Sequence, residues 1–249
     1  MVVATMLALH WVAGTWRNAV DLYIALSQVS RAKLIKGGLP AAKIMVKPNF
    51  VSQDLDTGSG EGGYVAFVGR LSDEKGLETL INAWRLHRDL PTLKIVGDGP
   101  IRSKIEEIAR GDRRIHLLRR QPLDVVYSLI GEAACLILPS ECYENCPRVI
   151  IEAFARGTPA VVSELGAMAE LVDNGRTGAH FRCGDPDDLA AKLRRVLADP
   201  ASLRQMRRSA RLAYEEAFTE EKNHRQLMSI YQQALRSRAQ REASSWARR

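Results

Sequence analysis

Residues 133–162 read AACLILPSECYENCPRVIIEAFARGTPAVV. An apolar run, Ala133 to Leu138, closes on Pro139-Ser140, and a polar loop follows that carries Glu144. From Pro147 to Arg156 apolar residues recur at helical spacing around Glu152; Gly157-Thr158-Pro159 stops the pattern, and Ala160 to Val162 is apolar again. The order is strand, loop with an acid, helix with an acid, stop, strand. Apolar runs without alternation suit a parallel sheet buried on both faces, and strands that alternate with helices make the class α/β. Open parallel sheets hold ligands beyond the carboxyl ends of the strands, beside the first turns of the following helices. Glu144 and Glu152 therefore face a ligand crevice, where a carboxylate accepts hydrogen bonds from sugar or ribose hydroxyls.

The alternation extends on both sides. Strands are predicted at Tyr64–Val68, Leu93–Val96, Ile115–Leu118, Ala134–Leu138, Ala160–Val162 and Ala179–Phe181. Helices are predicted at Leu77–His87, Ile101–Ala109, Leu123–Ile130, Pro147–Arg156 with Pro147 at the first helical position, Ala167–Val172 and Pro186–Ala198. This is a doubly wound parallel sheet. Two helices are predicted beyond it, Ala201–Phe218 and Thr219–Ala239, the second with Thr219 as N-cap. Trp84, Phe154 and Tyr231 read as core contacts at helical spacing.

The strand Tyr64–Val68 runs at once into Gly69-Arg-Leu-Ser-Asp-Glu-Lys75-Gly76. Glycine lets the backbone approach a ligand closely. Arg70 and Lys75 place two cations near a helix N-terminus, where anions are already favoured. A diphosphate fits that arrangement; the alternative is a basic turn paired with Asp73 or Glu74.

Four segments occur in a familiar order: GRLSDEKG (69–76), IVGDGP (95–100), ILPSECYENCPRVIIEAFARGTPAVVSE (137–164) and AELVDNGRTG (169–178). Together they resemble the C-terminal, donor-binding half of a retaining glycosyltransferase of family 4, with the Rossmann-like domain of a GT-B fold. The resemblance covers roughly residues 46–235. It implies hexosyl transfer from an NDP-sugar to a hydroxyl of a sugar or lipid-linked acceptor, with retention, as in polysaccharide biosynthesis. It implies no metal and no cofactor besides the donor. Catalytic roles fall to Glu144, beneath the transferred sugar, and to Arg70 and Lys75, which neutralise the leaving diphosphate. Nucleotide-sugar contacts are expected from Gly69, Arg70, Lys75, Gly97, Arg120, Glu144, Asn145, Cys146, Pro147, Val149 and Glu152, with Glu152 on the ribose. Against these stand plainer readings: a helix-surface acid for Glu152, a turn residue for Glu144. Asn145, Cys146 and Arg119 depart from the residues the family more often has. Gly166 and Glu170 fit a G-x3-E turn of the family in which Glu170 orients a loop. The D-x-D at Asp185–Asp187 reads as a helix cap with acids on the dipole, in preference to a metal site.

By the same resemblance, residues 1–51 are a remnant of the N-terminal acceptor domain plus the hinge KPNFV (47–51), residues 64–218 the nucleotide-sugar domain, and 219–249 a C-terminal helix and basic tail. The remnant is predicted as a helix over 5–17, a strand over 22–26, a helix over 30–36 and a strand over 43–47, with His10 on the surface. The glycines between Asp54 and Gly63 suggest a flexible connection. Family members carry a full acceptor domain. A separate subunit supplying it, a homodimer, or an inactive truncated product are thus alternatives to an active transferase, and exposure of Val3, Met6, Leu7 and Leu9 bears on them.

The chain has 249 residues, 46% hydrophobic and 26% charged, as in ordinary globular proteins. No apolar run approaches the length of a membrane span, and the N-terminus lacks the basic start of a signal peptide. Cys135, Cys142, Cys146 and Cys183 show no zinc-ligand spacing and read as free thiols of a cytoplasmic protein. Residues 204–249 hold eleven Lys or Arg against five Glu, much of the net charge of +7. A solvated helix and a frayed tail over 236–249 account for that charge. Weak contact with the inner face of an anionic membrane is the other reading, and nucleic acid is not expected.

Overall fold

The computed structural model describes residues 2–52 and 55–246. The chain separates into two compact units: residues up to Pro48 together with those from Glu221 onward, and Asn49–Glu220.

The first unit begins with helices α1 (Val2–Val12) and α2 (Thr15–Asn18). They were expected as one helix over 5–17. Gly14 breaks it by adopting a left-handed conformation (φ 68°). Helix α1 is apolar on nearly every side and buries none of its residues, with Val3, Met6, Leu7 and Leu9 all exposed. Strands β1 (Tyr23–Ala25) and β2 (Ile44–Val46) pair in parallel around helix α3 (Gln28–Lys36). Ser27 caps α3 by accepting a 3.0 Å bond from the Ser30 amide.

The second unit alternates β3 (Tyr64–Val68), α4 (Leu77–Leu86), β4 (Thr92–Val96), α5 (Arg102–Ile108), β5 (Ile115–Leu118), α6 (Leu123–Glu132), β6 (Leu136–Leu138), α7 (Arg148–Ala155), β7 (Ala160–Ser163), α8 (Gly166–Leu171), β8 (Gly178–Phe181) and α9 (Pro186–Leu197), then α10 (Pro200–Ala217). The six strands form one parallel sheet in the order β5-β4-β3-β6-β7-β8. This is the doubly wound α/β class expected from the sequence. The winding direction reverses between β3 and β6, so the crevice for a ligand opens there.

Apolar runs fill both faces of the sheet: Val65, Ala66, Phe67, Leu136, Ile137 and Val161 are fully buried. Leu77, Leu80, Ile81 and Trp84 fall one helical turn apart on α4 and form its buried face. Trp84 satisfies its indole N–H on the Pro91 carbonyl at 2.7 Å. Trp84 and Phe154 are core residues as expected, but Tyr231 is half exposed. It sits on α11 (Glu220–Trp246), which is polar on most sides. That helix runs beyond the expected end at residue 239, so the basic segment from Arg236 is helical through Trp246. Residues 247–249 lie outside the described residues.

The glycine-rich segment before β3 is not a loose connection. Its first expected residue, Asp54, lies outside the described residues. Beyond it, the amides of Gly58, Gly60 and Gly62 donate to the carbonyls of Arg156, Gly131 and Glu132 at 2.9, 3.0 and 2.9 Å. A side chain at Gly58 would lie 2.1 Å from the Gly131 carbonyl oxygen, so the glycines serve close packing along the unit. Among the described residues, no helix is long and apolar enough to cross a membrane. None of the four cysteines is in a disulfide among the described residues.

Candidate functional site

A cleft of about 930 Å³ opens at the carboxyl ends of β3, β4 and β5. Gly69 and Arg70 border it after β3, Gly97 and Asp98 after β4, and Arg120, Gln121 and Pro122 after β5. Leu123 and Val126 reach it from α6, and Glu152 from α7. Gly97 is required by crowding: its φ is +145°, and a side chain there would meet the Gly69 carbonyl oxygen at 1.9 Å. The tight apposition keeps the floor of the cleft free of side-chain bulk. Arg70 is exposed on its wall, and among the described residues its guanidinium makes no hydrogen bond or ion pair.

Glu152 is the most informative group in the cleft. Its side chain is 12% exposed, and among the described residues its sole ionic partner is Arg148 Nη2 at 3.5 Å, one turn away. Burial pushes the carboxyl above its ordinary range, against the opposing pull of Arg148. A nearly buried carboxylate with so little compensation retains unused acceptor capacity. It can take hydrogen bonds from a ligand that brings hydroxyl donors.

Lys75 and Glu144 meet on the neighbouring loops. Lys75 follows β3 and Glu144 follows β6, two adjacent strands, and Lys75 Nζ lies 2.5 Å from Glu144 Oε1. Neither Asp73 nor Glu74 takes the lysine; the Glu74 carboxylate accepts the Ser72 hydroxyl at 2.6 Å. The Ser140 hydroxyl donates to the same Glu144 oxygen at 2.9 Å, so Oε2 is left without a partner among the described residues. The two loops are locked at their base by Gly76, whose φ of +67° and distance to Pro139 exclude any side chain. The Glu141 amide donates to the Glu74 carbonyl and its carboxylate accepts the Thr79 hydroxyl, fastening the same loops.

Of the expected site residues, Gly69, Arg70, Gly97, Arg120 and Glu152 line one cleft. Lys75, Glu144, Asn145, Cys146, Pro147 and Val149 are not on its wall; they belong to the loop and helix start beside it. Asn145 is exposed, while Cys146 and Pro147 are buried. The Cys146 carbonyl accepts a 2.8 Å bond from Asn49, which fixes that loop from the start of the unit. Pro147 is the N-cap of α7, not its first helical residue: its ψ of 111° is extended. Sequence reasoning missed Gln121, Pro122, Leu123 and Val126. Their signal was a strand end followed by a helix start, the same pattern that singled out Gly69–Gly76.

The three acids of Asp185–Asp188 are committed elsewhere. Asp185 caps α9 by accepting from the Asp188 amide at 2.9 Å, Asp188 accepts from the Arg182 amide, and Asp187 pairs with His87. Among the described residues, no group of three His, Cys, Asp or Glu is placed to hold a metal ion. His10 is exposed and bonds Thr15 in the first unit.

A doubly wound sheet with a cleft at its switch point, bordered by cations and a nearly buried acid, defines a Rossmann-like unit. Residues 62–199 match the family described as "Glycosyl transferases group 1". The chain belongs to that family. It is 36% identical over 184 residues to the glycogen synthase of Mycobacterium tuberculosis, covering 72% of this chain and 42% of that protein. It is 29% identical over 202 residues to the sulfoquinovosyl transferase SQD2 of Arabidopsis thaliana, covering 73% of this chain and 39% of the relative. The chain thus spans about two fifths of the length of these relatives. The Anabaena protein HepE, in complex with UDP, shares the fold with a TM-score of 0.79 at 23% identity, over 86% of this chain and 64% of its own.

Proposed function

We propose that residues 49–220 bind the donor of a retaining, family 4 glycosyltransferase: a nucleotide sugar seated in the switch-point cleft, with a hexosyl group for transfer. The observation that carries this is Glu152, a nearly buried and poorly compensated carboxylate in the cleft that also holds the unpaired Arg70. Paired ribose hydroxyls would satisfy it with charge-assisted bonds. Family membership supports the same reading, and HepE of this fold is described with UDP. The Gly69–Gly97 floor admits the nucleotide, Arg120 and Gln121 border the base, and Arg70 and Lys75 face the diphosphate. Asn145, Cys146, Pro147 and Val149, at the start of α7, flank the sugar.

In transfer, the bond between the anomeric carbon and the phosphate oxygen breaks, and the nucleoside diphosphate leaves. The acceptor oxygen bonds to the same face of that carbon, and its proton passes to the departing phosphate. Fixed cations stabilise the charge that grows on the leaving group, a role Arg70 and Lys75 fill without a metal. Glu144, with Oε2 unengaged, takes a hydroxyl of the transferred sugar. The acceptor is a sugar or lipid-linked hydroxyl, and the setting is cytoplasmic. Donor binding without turnover by this chain alone is the second reading. It is favoured because every residue assigned here lies on the donor side, between Gly69 and Glu152. Calorimetric titration with UDP, GDP and ADP tests the donor site; failure of all three to bind at millimolar concentration would remove it.

A further inference from the structure

Helix α10 carries Arg204, Arg207, Arg208 and Arg211 at one-turn spacing on one face. They line a second cavity, of about 430 Å³, completed by Thr57, Gly58, Ser59, Gly157 and Leu212. It lies at the opposite end of the sheet from the cleft. Gly58 and Ser59 precede β3, and Gly157 precedes β7, so a full strand length, roughly 15 Å, separates the two.

Among the described residues, only Arg211 of these four arginines pairs with a carboxylate, Glu215. Arg207 spends its guanidinium on three carbonyls, Ala133 at 3.0 Å, Gly58 at 2.7 Å and Gly131 at 3.1 Å. Carbonyls satisfy hydrogen bonds but do not neutralise a cation. Burial pulls the Arg207 pKa down and neighbouring Arg156 adds to the pull, against Glu132. Arg156 itself has a buried Nε without a partner. Arg211 donates to the Leu55 and Ala155 carbonyls and pairs with Glu215 at 2.6 Å. Among the described residues, the exposed Arg208 is held by Gln205 and the exposed Arg204 makes no hydrogen bond. Glu132 is engaged by the Ser59 hydroxyl, and among the described residues no acid lines the cavity. Three guanidinium groups without a carboxylate partner, Arg204, Arg207 and Arg208, are stabilised by an anion, and arginine forks match phosphate geometry.

We propose that this cavity is a second anion site, distinct from the donor cleft, in which Arg204 and Arg208 bind a phosphate group of a ligand about the size of a sugar phosphate. Arg207 and Arg211 hold the surrounding loops and supply the field. The phosphate can belong to a soluble metabolite or to a lipid headgroup, for which the exposed Leu212 on the rim offers an apolar contact.

The test is calorimetric titration of the full chain with glucose 6-phosphate, alongside co-sedimentation with phosphatidylcholine vesicles with and without phosphatidylglycerol. The Arg204→Gln/Arg208→Gln variant changes only exposed groups and leaves the carbonyl bonds of Arg207 and Arg211 in place. It should bind about tenfold more weakly or worse, the scale of losing two charge-assisted contacts, with unchanged thermal stability. An Arg70→Ala/Lys75→Ala variant should bind as the unaltered chain does, which separates this site from the donor cleft. Binding of the sugar phosphate alone supports a soluble ligand, and binding of anionic vesicles alone supports a lipid headgroup. Binding of neither, or binding that survives the double glutamine variant, overturns the proposal.

Discussion

At the scale of single residues, the donor reading makes two sharp demands. Glu152 is the first. Truncation in Glu152→Ala removes an acceptor that ribose hydroxyls would satisfy, so nucleotide affinity should drop by about 1.5–3 kcal/mol, the scale of bonds to a charged group. Its pH dependence follows from burial. The free carboxyl is raised above its ordinary value, and bound hydroxyl donors favour the ionised form, so binding lowers that pKa. Affinity is therefore full above the raised pKa and falls as pH drops through it. Titrating the nucleoside, which has no phosphate of its own to protonate, isolates the effect. A flat profile above the ordinary carboxylate range would separate Glu152 from the ligand. Arg70 and Lys75 are the second demand. Arg70→Ala and Lys75→Ala should weaken diphosphate binding far more than nucleoside binding, because the charge they meet is absent from the nucleoside. Equal losses would make them structural. Lys75 carries an extra consequence, since its removal leaves Glu144 with only the Ser140 hydroxyl on Oε1.

At the scale of elements, the loops after β3 and β6 act as one part. Gly76 has φ +67°, and the nearest atom to an added Cβ would be the Pro139 carbonyl oxygen, 1.9 Å away. Gly76→Ala must push the two loops apart. We expect it to cost about 3 kcal/mol or more, beyond left-handed strain alone, and to disturb the Lys75–Glu144 pair and nucleotide binding with it. Gly63 is the control: its φ is +71° but no atom lies within 4 Å of an added Cβ. Gly63→Ala should cost only the strain of roughly 1–2 kcal/mol. Similar denaturation midpoints for the two variants would show that the contact at Pro139 relaxes freely. The contrast also marks what could be read in the sequence. The six strands were legible because each is a short apolar run between turn signals, and the acids and cations because each follows such a run. The packing of Gly58 and Gly60 was not, because the partner, Gly131, lies some seventy residues away and leaves no local trace. For the same reason the Lys75 partner was sought among Asp73 and Glu74, when strand adjacency delivers Glu144. The break at Gly14 and the capping role of Pro147 depend on single backbone torsions that periodicity does not encode.

At the scale of the whole molecule, the expected donor residues all fall within Asn49–Glu220, a unit with its own sheet and core. A nucleotide that binds only the folded form should stabilise it by RT ln(1 + [L]/Kd), about 2.7 kcal/mol at a hundredfold excess over Kd. Thermal unfolding of the chain with and without the diphosphate reads this directly, and no shift at saturation would contradict the donor site. Turnover is a separate matter. Glycosyl transfer needs donor and acceptor in near-attack geometry, and positioning can supply roughly 7–11 kcal/mol of the barrier in well-aligned cases. The chain spans 42% of the glycogen synthase it resembles, and the donor residues named here include none that would orient an acceptor. We therefore expect the 249-residue chain alone to bind donor but to transfer sugar well below about 1 s⁻¹, the lower end of ordinary enzymes. Slow hydrolysis of the donor should rival transfer, because nothing assigned here excludes water from the sugar. The measurement is release of nucleoside diphosphate from a panel of NDP-sugars, with and without added acceptor sugars, on protein whose oligomeric state is known. Rapid, acceptor-dependent release by the monomer would mean that the described residues already contain an acceptor site. The apolar groove of Leu7, Trp11, Trp16 and Tyr23 in the first unit would then be the first place to look for it.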